Sequence, residues 1–389
     1  MANTLTVLID KLLAQGLMAL RQNTILPTLI NHDYDAMAGE KGSTVEVPIP
    51  APIAVQDVAP GATPPSTADI APSVVILPMD KWKEAPFYLT DKEIMEAQAG
   101  VIPMHASEAV KSLLNQVEAD VFANYKEVYG YAGAAGTTPF VSDVSAWSGA
   151  SGARTILNKQ LCPMADRRVL LGPDAEANAI SLQPFQNMQW RGDNKGIIEG
   201  EIGRKLGADW YMDQNIPTHT STVFTAGACT VNGVNAVGAG STDNGRTGTV
   251  SLAKATNTSP LVKGDIISIA GDPQTYTVMA DVTLAVGNTT VSISPALKKA
   301  TVGAEAVTLR ATHVVNLAFH RGAFAFANRP LAAGVDANLG SVISSMSDSI
   351  SKLSLRLEVR REHKRTRYSY DMLYGSKLIR PELACRIAG

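Results

Sequence analysis

Apolar positions between Met104 and Tyr129 (MHASEAVKSLLNQVEADVFANYKEVY) recur at Val110, Leu113, Leu114, Val117, Val121, Tyr125 and Val128. That spacing is close to the 3.6-residue period of a one-sided helix. Pro103 precedes the run and Gly130 and Gly133 follow it, as start and stop signals do. At 1.5 Å per residue the stretch predicts a helix about 39 Å long. It is expected to lie across a sheet as a spine, with Lys111, Gln116, Glu118 and Lys126 on its free polar face. An earlier stripe (Leu5, Leu8, Ile9, Leu12, Leu13, Leu17 and Leu20) predicts an amphipathic helix ending near Arg21, before Pro27.

Strand-like alternation frames these helices. Val45, Val47, Ile49, Ile53 and Val55 alternate with polar residues and with Pro48, Pro50 and Pro52. Val74 to Leu77 return after a Pro/Gly-rich tip. The pattern predicts a long hairpin. A two-stranded hairpin is marginal in water by itself, so this one is expected either to pack on a neighbouring subunit or to be a surface loop. Thr90 and Glu93 have capping-box spacing. Gly, Ala, Ser and Thr from about Gly130 to Gly152 read as a linker. A helix through Leu161, a buried strand Arg167–Leu171 and a helix capped by Asp174 follow. Near the end, Leu353, Leu355, Leu357 and Val359 alternate with polar residues, and so do Thr366, Tyr368, Tyr370 and Met372. They predict an antiparallel pair.

Composition changes over residues 221 to 312, which are rich in Thr, Val, Ala and Gly and whose aromatics are Phe224 and Tyr276 alone. Short strands at Thr247–Leu252, Asp265–Ala270, Thr275–Val282 and Thr290–Ile293 predict a small barrel or sandwich. It interrupts a chain of α/β texture. Net charge is −2 over 389 residues, so no global field draws the protein to nucleic acid or acidic lipid. Cys162, Cys229 and Cys385 are widely spaced; they predict free buried thiols rather than a disulfide framework or a zinc site. No apolar run reaches the length of a membrane span, and the first residues do not read as a signal peptide.

Motifs for chemistry are missing from the sequence. It holds no GxxxxGK[ST], HExxH or GxSxG pattern, and the six histidines are scattered without ligand spacing. The reading is therefore a non-enzymatic protein with no catalytic residue, cofactor or metal. One charge cluster stands out: Arg356, Arg360, Arg361, Lys364, Arg365 and Arg367, offset by Glu358 and Glu362. It is either a solvated strand face that resists edge pairing or a surface facing DNA or a neighbouring subunit. Contacts to DNA would be to phosphates and salt-sensitive.

Three segments, GEIGRKLGADWYMDQNIPTH, VVNLAFHRGAFAFA and RYSYDMLYGSKLIRPELACRIAG, resemble the coat proteins of the P22 type (gene product five), major capsid proteins of tailed phages with the HK97 fold. The order of arm, hairpin, spine, α/β lobe and β-rich ending is similar too. The resemblance implies an α+β, HK97-like class with an inserted small β-barrel. It assigns 1–42 to an N-terminal arm, 43–90 to the E-loop, 91–149 to the P-domain with its spine, 150–220 and 313–345 to the A-domain, 221–312 to the inserted I-domain and 346–389 to P-domain strands. It implies pentamers and hexamers closing into an icosahedral head that expands around double-stranded DNA, assembled in the host cytoplasm. Scaffolding, portal and decoration proteins are the implied partners. The loop that meets neighbouring capsomers in that family corresponds to about Asn235–Arg246, whose charges are Asp243 and Arg246. Gly100, Gly130 and Gly133 become hinge candidates for expansion. No lysine lies between Lys41 and Lys81, so a lysine crosslink from the hairpin is not expected. The competing readings are an encapsulin-like cellular nanocompartment shell and a β-rich carbohydrate-binding protein.

Overall fold

A computed structural model describes residues 12–14, 16, 18, 25–35, 44–50, 53, 55, 57, 60, 61, 72–96, 101–141, 143–182, 185, 202–224, 228–329, 331, 341–348 and 352–389. Most of the expected first helix, the hairpin tip and Gly100 lie outside these residues. The described chain builds two sheets on one core, a closed barrel and a docked hairpin.

The first sheet has five antiparallel strands around the long strand Arg365–Leu378. Ser354–Glu362, flanked by Ser341–Ser347, pairs on one side, as does Phe324–Arg329; Lys81–Thr90 pairs on the other. The alternating pattern fixes the register: Leu357 faces Tyr370 and Val359 faces Tyr368. A slip of one residue would turn every one of these side chains to solvent. The spine helix, Val101–Phe122, lies on this apolar face. Val110, Leu113, Leu114, Val117 and Val121 share its core with Leu355, Leu357, Tyr370 and Tyr374.

The helix is shorter than its periodicity predicts. Its 22 residues span about 33 Å, and a 3-10 turn, Ala123–Glu127, follows. There the Asn124 amide donates to the Val121 carbonyl, closing the last turn with a local side-chain bond. Pro103 falls in the first turn, where it removes a donor that has no intrahelical partner. Glu118, expected on the free face, is 1% exposed, because chain from both earlier and later in the sequence covers it.

The second sheet has seven strands, in the order Gly130–Gly133, Ala384–Ala388, His313–His320, Arg167–Leu171, Ala208–Met212 and Arg204–Lys205, with Thr218–His219 added beside His313–His320. Gly130–Gly133 runs parallel to Ala384–Ala388, and Arg167–Leu171 parallel to Ala208–Met212. The helices Asp143–Lys159 and Pro173–Ser181 occupy the chain around these strands. Much of the expected linker is therefore a strand and a helix. A Cβ on Gly130 would sit 2.8 Å from the Ala384 carbonyl oxygen, so glycine there reflects strands in close approach rather than a flexible tether. At the Pro173 helix the N-cap is Gly172; Asp174 stands in the first turn instead.

The hairpin Thr44–Ile49 and Ser73–Pro78 places Val47 opposite Val75. One face does not wait for a neighbour. Val45, Val47, Leu77 and Met79 are buried against Ala325, Ala327, Leu373 and Ile379 of the same chain. The other face leaves Val74 and Ile76 exposed. Lys81–Thr90, expected within the hairpin region, is instead a full strand of the five-stranded sheet. At its end Thr90 and Glu93 form the anticipated reciprocal cap, with the Thr90 N–H donating to the Glu93 carboxylate at 2.8 Å and the Glu93 N–H to Thr90 Oγ1 at 3.3 Å. Thr90→Ala is expected to cost about 1 kcal/mol. Urea unfolding checks the value, and amide exchange in Asp91–Glu96 shows whether the loss is local.

Six strands between Cys229 and Leu309 close a barrel in the order Gly248–Lys254, Gly287–Ser294, Thr275–Val278, Ile266–Ile269, Ala306–Leu309 and Cys229–Val231. Strict alternation in Gly248–Lys254 puts Val250 and Leu252 inside. This core is separate from that of the sheets. The chain enters the barrel after Thr218–His219 and leaves it at His313, and His219 pairs with His313.

Candidate functional site: the barrel joint and the charged faces

Polar groups gather where the barrel meets the sheets. Asp265, on the barrel, accepts from the Val262 N–H at 2.9 Å and from Thr222 Oγ1 at 3.2 Å. Its other oxygen lies 3.0 Å from His219 Nε2. The His219 Nδ1 is 3.1 Å from the Tyr125 hydroxyl at the end of the spine. The ring thus bridges the Asp265 carboxylate and the Tyr125 phenol. Arg386 stands over the Tyr125 ring at 5.1 Å. It donates to the Gly264 carbonyl at 2.8 Å and to Thr277 Oγ1 at 3.4 Å. Burial pulls the guanidinium down to about 10. Asp265, Arg386, His219 and Tyr125 are 0, 0, 2 and 5% exposed, so no substrate reaches them. The arrangement is a joint rather than a catalytic centre.

A second set of bonds rims the joint. Glu127 takes Lys377 at 3.0 Å, Lys263 at 3.2 Å and Arg246 at 3.6 Å, linking the spine to the long strand and to the barrel. Burial works to raise its carboxyl, but Lys377 and Lys263 outweigh that and hold it below the usual range. Thr275 and Thr277 hydroxyls donate to the carbonyls of Tyr129 and Lys126 at 2.6 and 3.0 Å.

The sequence held one overlooked signal for this joint. Arg386 interrupts the run Leu383–Ala388, which is otherwise apolar apart from the thiol of Cys385. A charge inside a strand buried on both faces marks a specific partner. His219 and Asp265 carried no such mark, because their meeting depends on barrel closure.

The joint also sets a pH response. Burial pushes His313 down to about 4 from its ordinary 6.5. The folded state thus stays neutral where the unfolded state binds a proton. Its contribution is complete above about pH 6.5 and is lost as pH falls toward 4. Asp265 acts in the same direction at lower pH. Burial raises its carboxyl, but bonds from His219 and the Val262 N–H overcome that and depress it, so its contribution disappears as pH falls below the usual carboxylate range. His313→Phe is expected to flatten the decline between about pH 6.5 and 4, measured by urea unfolding across that range.

The residues singled out in the sequence separate. Asp243 is exposed, whereas Arg246 is turned inward and donates to the Leu378 carbonyl and, at 2.9 Å, to that of Ile379. The pair expected to face a neighbour is split, since Arg246 is spent within the chain. The basic cluster splits as well. Arg356 makes a two-point bond to Asp371, which also accepts from Trp82 Nε1 at 2.8 Å. Arg361 pairs with Asp91, Arg365 with Glu362 and Arg367 with Glu84. Among the described residues Arg360 and Lys364 make no ion pair. Glu84 and Asp91 from the segment 81–96, with Glu362 and Asp371 of the hairpin itself, thus make this a face of mixed charge. Gly130 and Gly133 are strand residues paired with Cys385 and Ala388. A swing there would break sheet bonds, which makes them poor hinges. Among the described residues, no cluster of three His, Cys, Asp or Glu groups is placed to hold a metal, and no helix is long and apolar enough to cross a membrane.

No family model and no curated protein matches the sequence. Solved structures do match in fold. A structure from Mycobacterium phage Che8 aligns over 94% of this chain and 90% of its own, at 13% identity and a TM-score of 0.54. The capsid of the Cyanophage P-SCSP1u aligns over 94% and 88% at 13% identity and a TM-score of 0.49. A virus-like particle from Pyrococcus furiosus aligns over 97% and 98% at 10% identity and a TM-score of 0.42. The chain has the mixed α+β fold of the Che8 structure.

Proposed function

We propose that this protein is the major capsid protein of a tailed double-stranded DNA phage, with identical copies closing into pentamers and hexamers of an icosahedral head. The observation that carries the reading is the fold match to a phage structure across nearly all of both chains. The architecture is consistent with it. The best-organised polar cluster is sealed from solvent, while the hairpin leaves a second apolar face uncovered. Head-to-tail contacts between such surfaces close into rings when the rotation closes. In this reading the hairpin is the E-loop, the five-stranded sheet and spine form the P-domain, the seven-stranded sheet the A-domain, and the barrel the inserted I-domain. A separate scaffolding protein guides assembly, a portal protein occupies one vertex, and decoration proteins bind outside. Contact with packaged DNA is non-specific and falls to unpaired cations such as Arg360 and Lys364. Electron microscopy of the recombinant protein, with and without a scaffolding partner, tests the reading. Closed shells are expected; a protein that stays monomeric under both conditions and gains stability from sugars would overturn it.

A further inference from the structure

Glu118 and Asp213 form a second buried polar site, away from the barrel joint. Each is 1% exposed. The two Glu118 oxygens accept from the Ile25 N–H at 2.9 Å and from the Asn215 side-chain amide at 2.7 Å. One Asp213 oxygen accepts from the Asn215 N–H at 2.8 Å; the other is buried with no partner. Asn215 therefore bridges the two carboxyls, and the Asn115 carbonyl, 3.3 Å from its amide, completes the surroundings.

Three segments meet here. Ile25 leads into Leu26, Leu29 and Ile30, all buried in the main core, and Asn31 then bonds to Phe324 and Phe326 of the five-stranded sheet. Glu118 belongs to the spine. Asp213 follows the strand Ala208–Met212 and donates its N–H to the Leu171 carbonyl. The groups facing the pair are neutral: Asn115 from the spine, Asn215 from the loop, and main-chain N–H groups from Ile25 onward. Among the described residues, no lysine, arginine or histidine makes an ion pair with either carboxyl. Two buried like charges with no cation cannot both be ionised without strain.

We propose that Glu118 and Asp213 hold one proton between them and so form a pH-responsive latch that binds the segment starting at Ile25 to the spine helix and the seven-stranded sheet. With the proton in place, one carboxylic acid stands beside one carboxylate, and both keep their bonds to Asn215 and Ile25. As pH rises the proton leaves to water, two carboxylates face each other, and the segment loosens. Burial raises both groups, and the Asp213 charge raises Glu118 further. A raised carboxyl contributes stability that is complete below its unfolded value and is lost as pH climbs through its folded value. This is opposite in sign to His313 and Asp265, and it acts on one segment rather than on the barrel joint. The inference does not depend on what the chain assembles into.

The test follows hydrogen exchange of the amides from Ile25 to Asn31 in the full-length protein, corrected for intrinsic rate. From about pH 5 to about pH 8, protection there is expected to fall severalfold relative to Val110–Val121, the direction that carboxyls raised by burial give. Asp213→Asn, which keeps shape and removes the charge, is expected to abolish that fall. Equal pH dependence in wild type and variant would overturn the proposal. Infrared spectra of the wild-type protein give a reading that does not depend on the variant folding. A protonated carboxyl band is expected to persist above the usual carboxylate range. Its absence would overturn the proposal as well.

Discussion

Asp265→Ala is expected to destabilise the protein by about 3–5 kcal/mol, the usual cost of removing one partner from a buried charge network. The residue holds three donors from separate places: the Val262 N–H, the Thr222 hydroxyl and His219 Nε2. Removing the carboxylate leaves the buried His219 Nε2–H and the half-buried Val262 N–H without this acceptor, while Thr222 Oγ1 keeps the Pro260 carbonyl at 2.7 Å; a buried orphan costs about 1–3 kcal/mol. It also removes a negative charge that offsets Arg386, which has no exposed surface. Asp265→Asn retains an acceptor for some of these donors and should lose less. Urea unfolding followed by far-UV circular dichroism measures both. An alanine variant within about 1 kcal/mol of wild type would mean that the joint is not a coupled network.

Gly375→Val is expected to dislodge the hairpin while sparing the spine. A Cβ at position 375 would lie 2.2 Å from the Pro78 carbonyl oxygen and 3.2 Å from Met79 Sδ. The backbone leaving the hairpin crosses the long strand at that point, and only a residue without a side chain admits it. Overpacking of this kind costs about 1–3 kcal/mol and occasionally more. The hairpin's apolar contacts form a small cluster distinct from the main core, so the damage should stay local. Limited proteolysis between Thr44 and Pro78 should accelerate about tenfold, the change that 1.4 kcal/mol of local opening gives, with helical circular dichroism unchanged. Unaltered proteolysis would show that Pro78 moves aside without difficulty.

Elements governed by neighbouring residues were readable from the sequence. The period of Val110 to Val121 gave the spine, and the alternation of Leu353 to Val359 with Thr366 to Met372 gave the central strand pair and the face it buries. Thr90 and Glu93 gave a cap, because both partners lie within one turn. What stayed hidden depended on distant chain. Glu118 looks like a surface residue until Ile25 and Asn215 cover it. Glycines at Gly130 and Gly133 look like a linker until Ala384–Ala388 lies alongside. The basic cluster looks only partly offset, by Glu358 and Glu362, until Glu84, Asp91 and Asp371 pair with it. Arg246 looks free until the barrel seats it on Leu378 and Ile379. Composition describes each residue alone, and in all these places the partner determined the outcome.

The three cysteines offer a use of their own. Cys229 lies in the barrel core, Cys385 in the seven-stranded sheet on the strand between Gly130–Gly133 and His313–His320, and Cys162 just beyond the helix Asp143–Lys159. Burial raises all three thiols, Cys385 to about 12, so little of the reactive thiolate exists while the chain is closed. A thiol reagent would therefore modify each one only when its surroundings open. Variants that keep one cysteine at a time would report separately on the breathing of the barrel, the sheet and the helix. Modification rates would then rank how readily each part of the molecule comes apart.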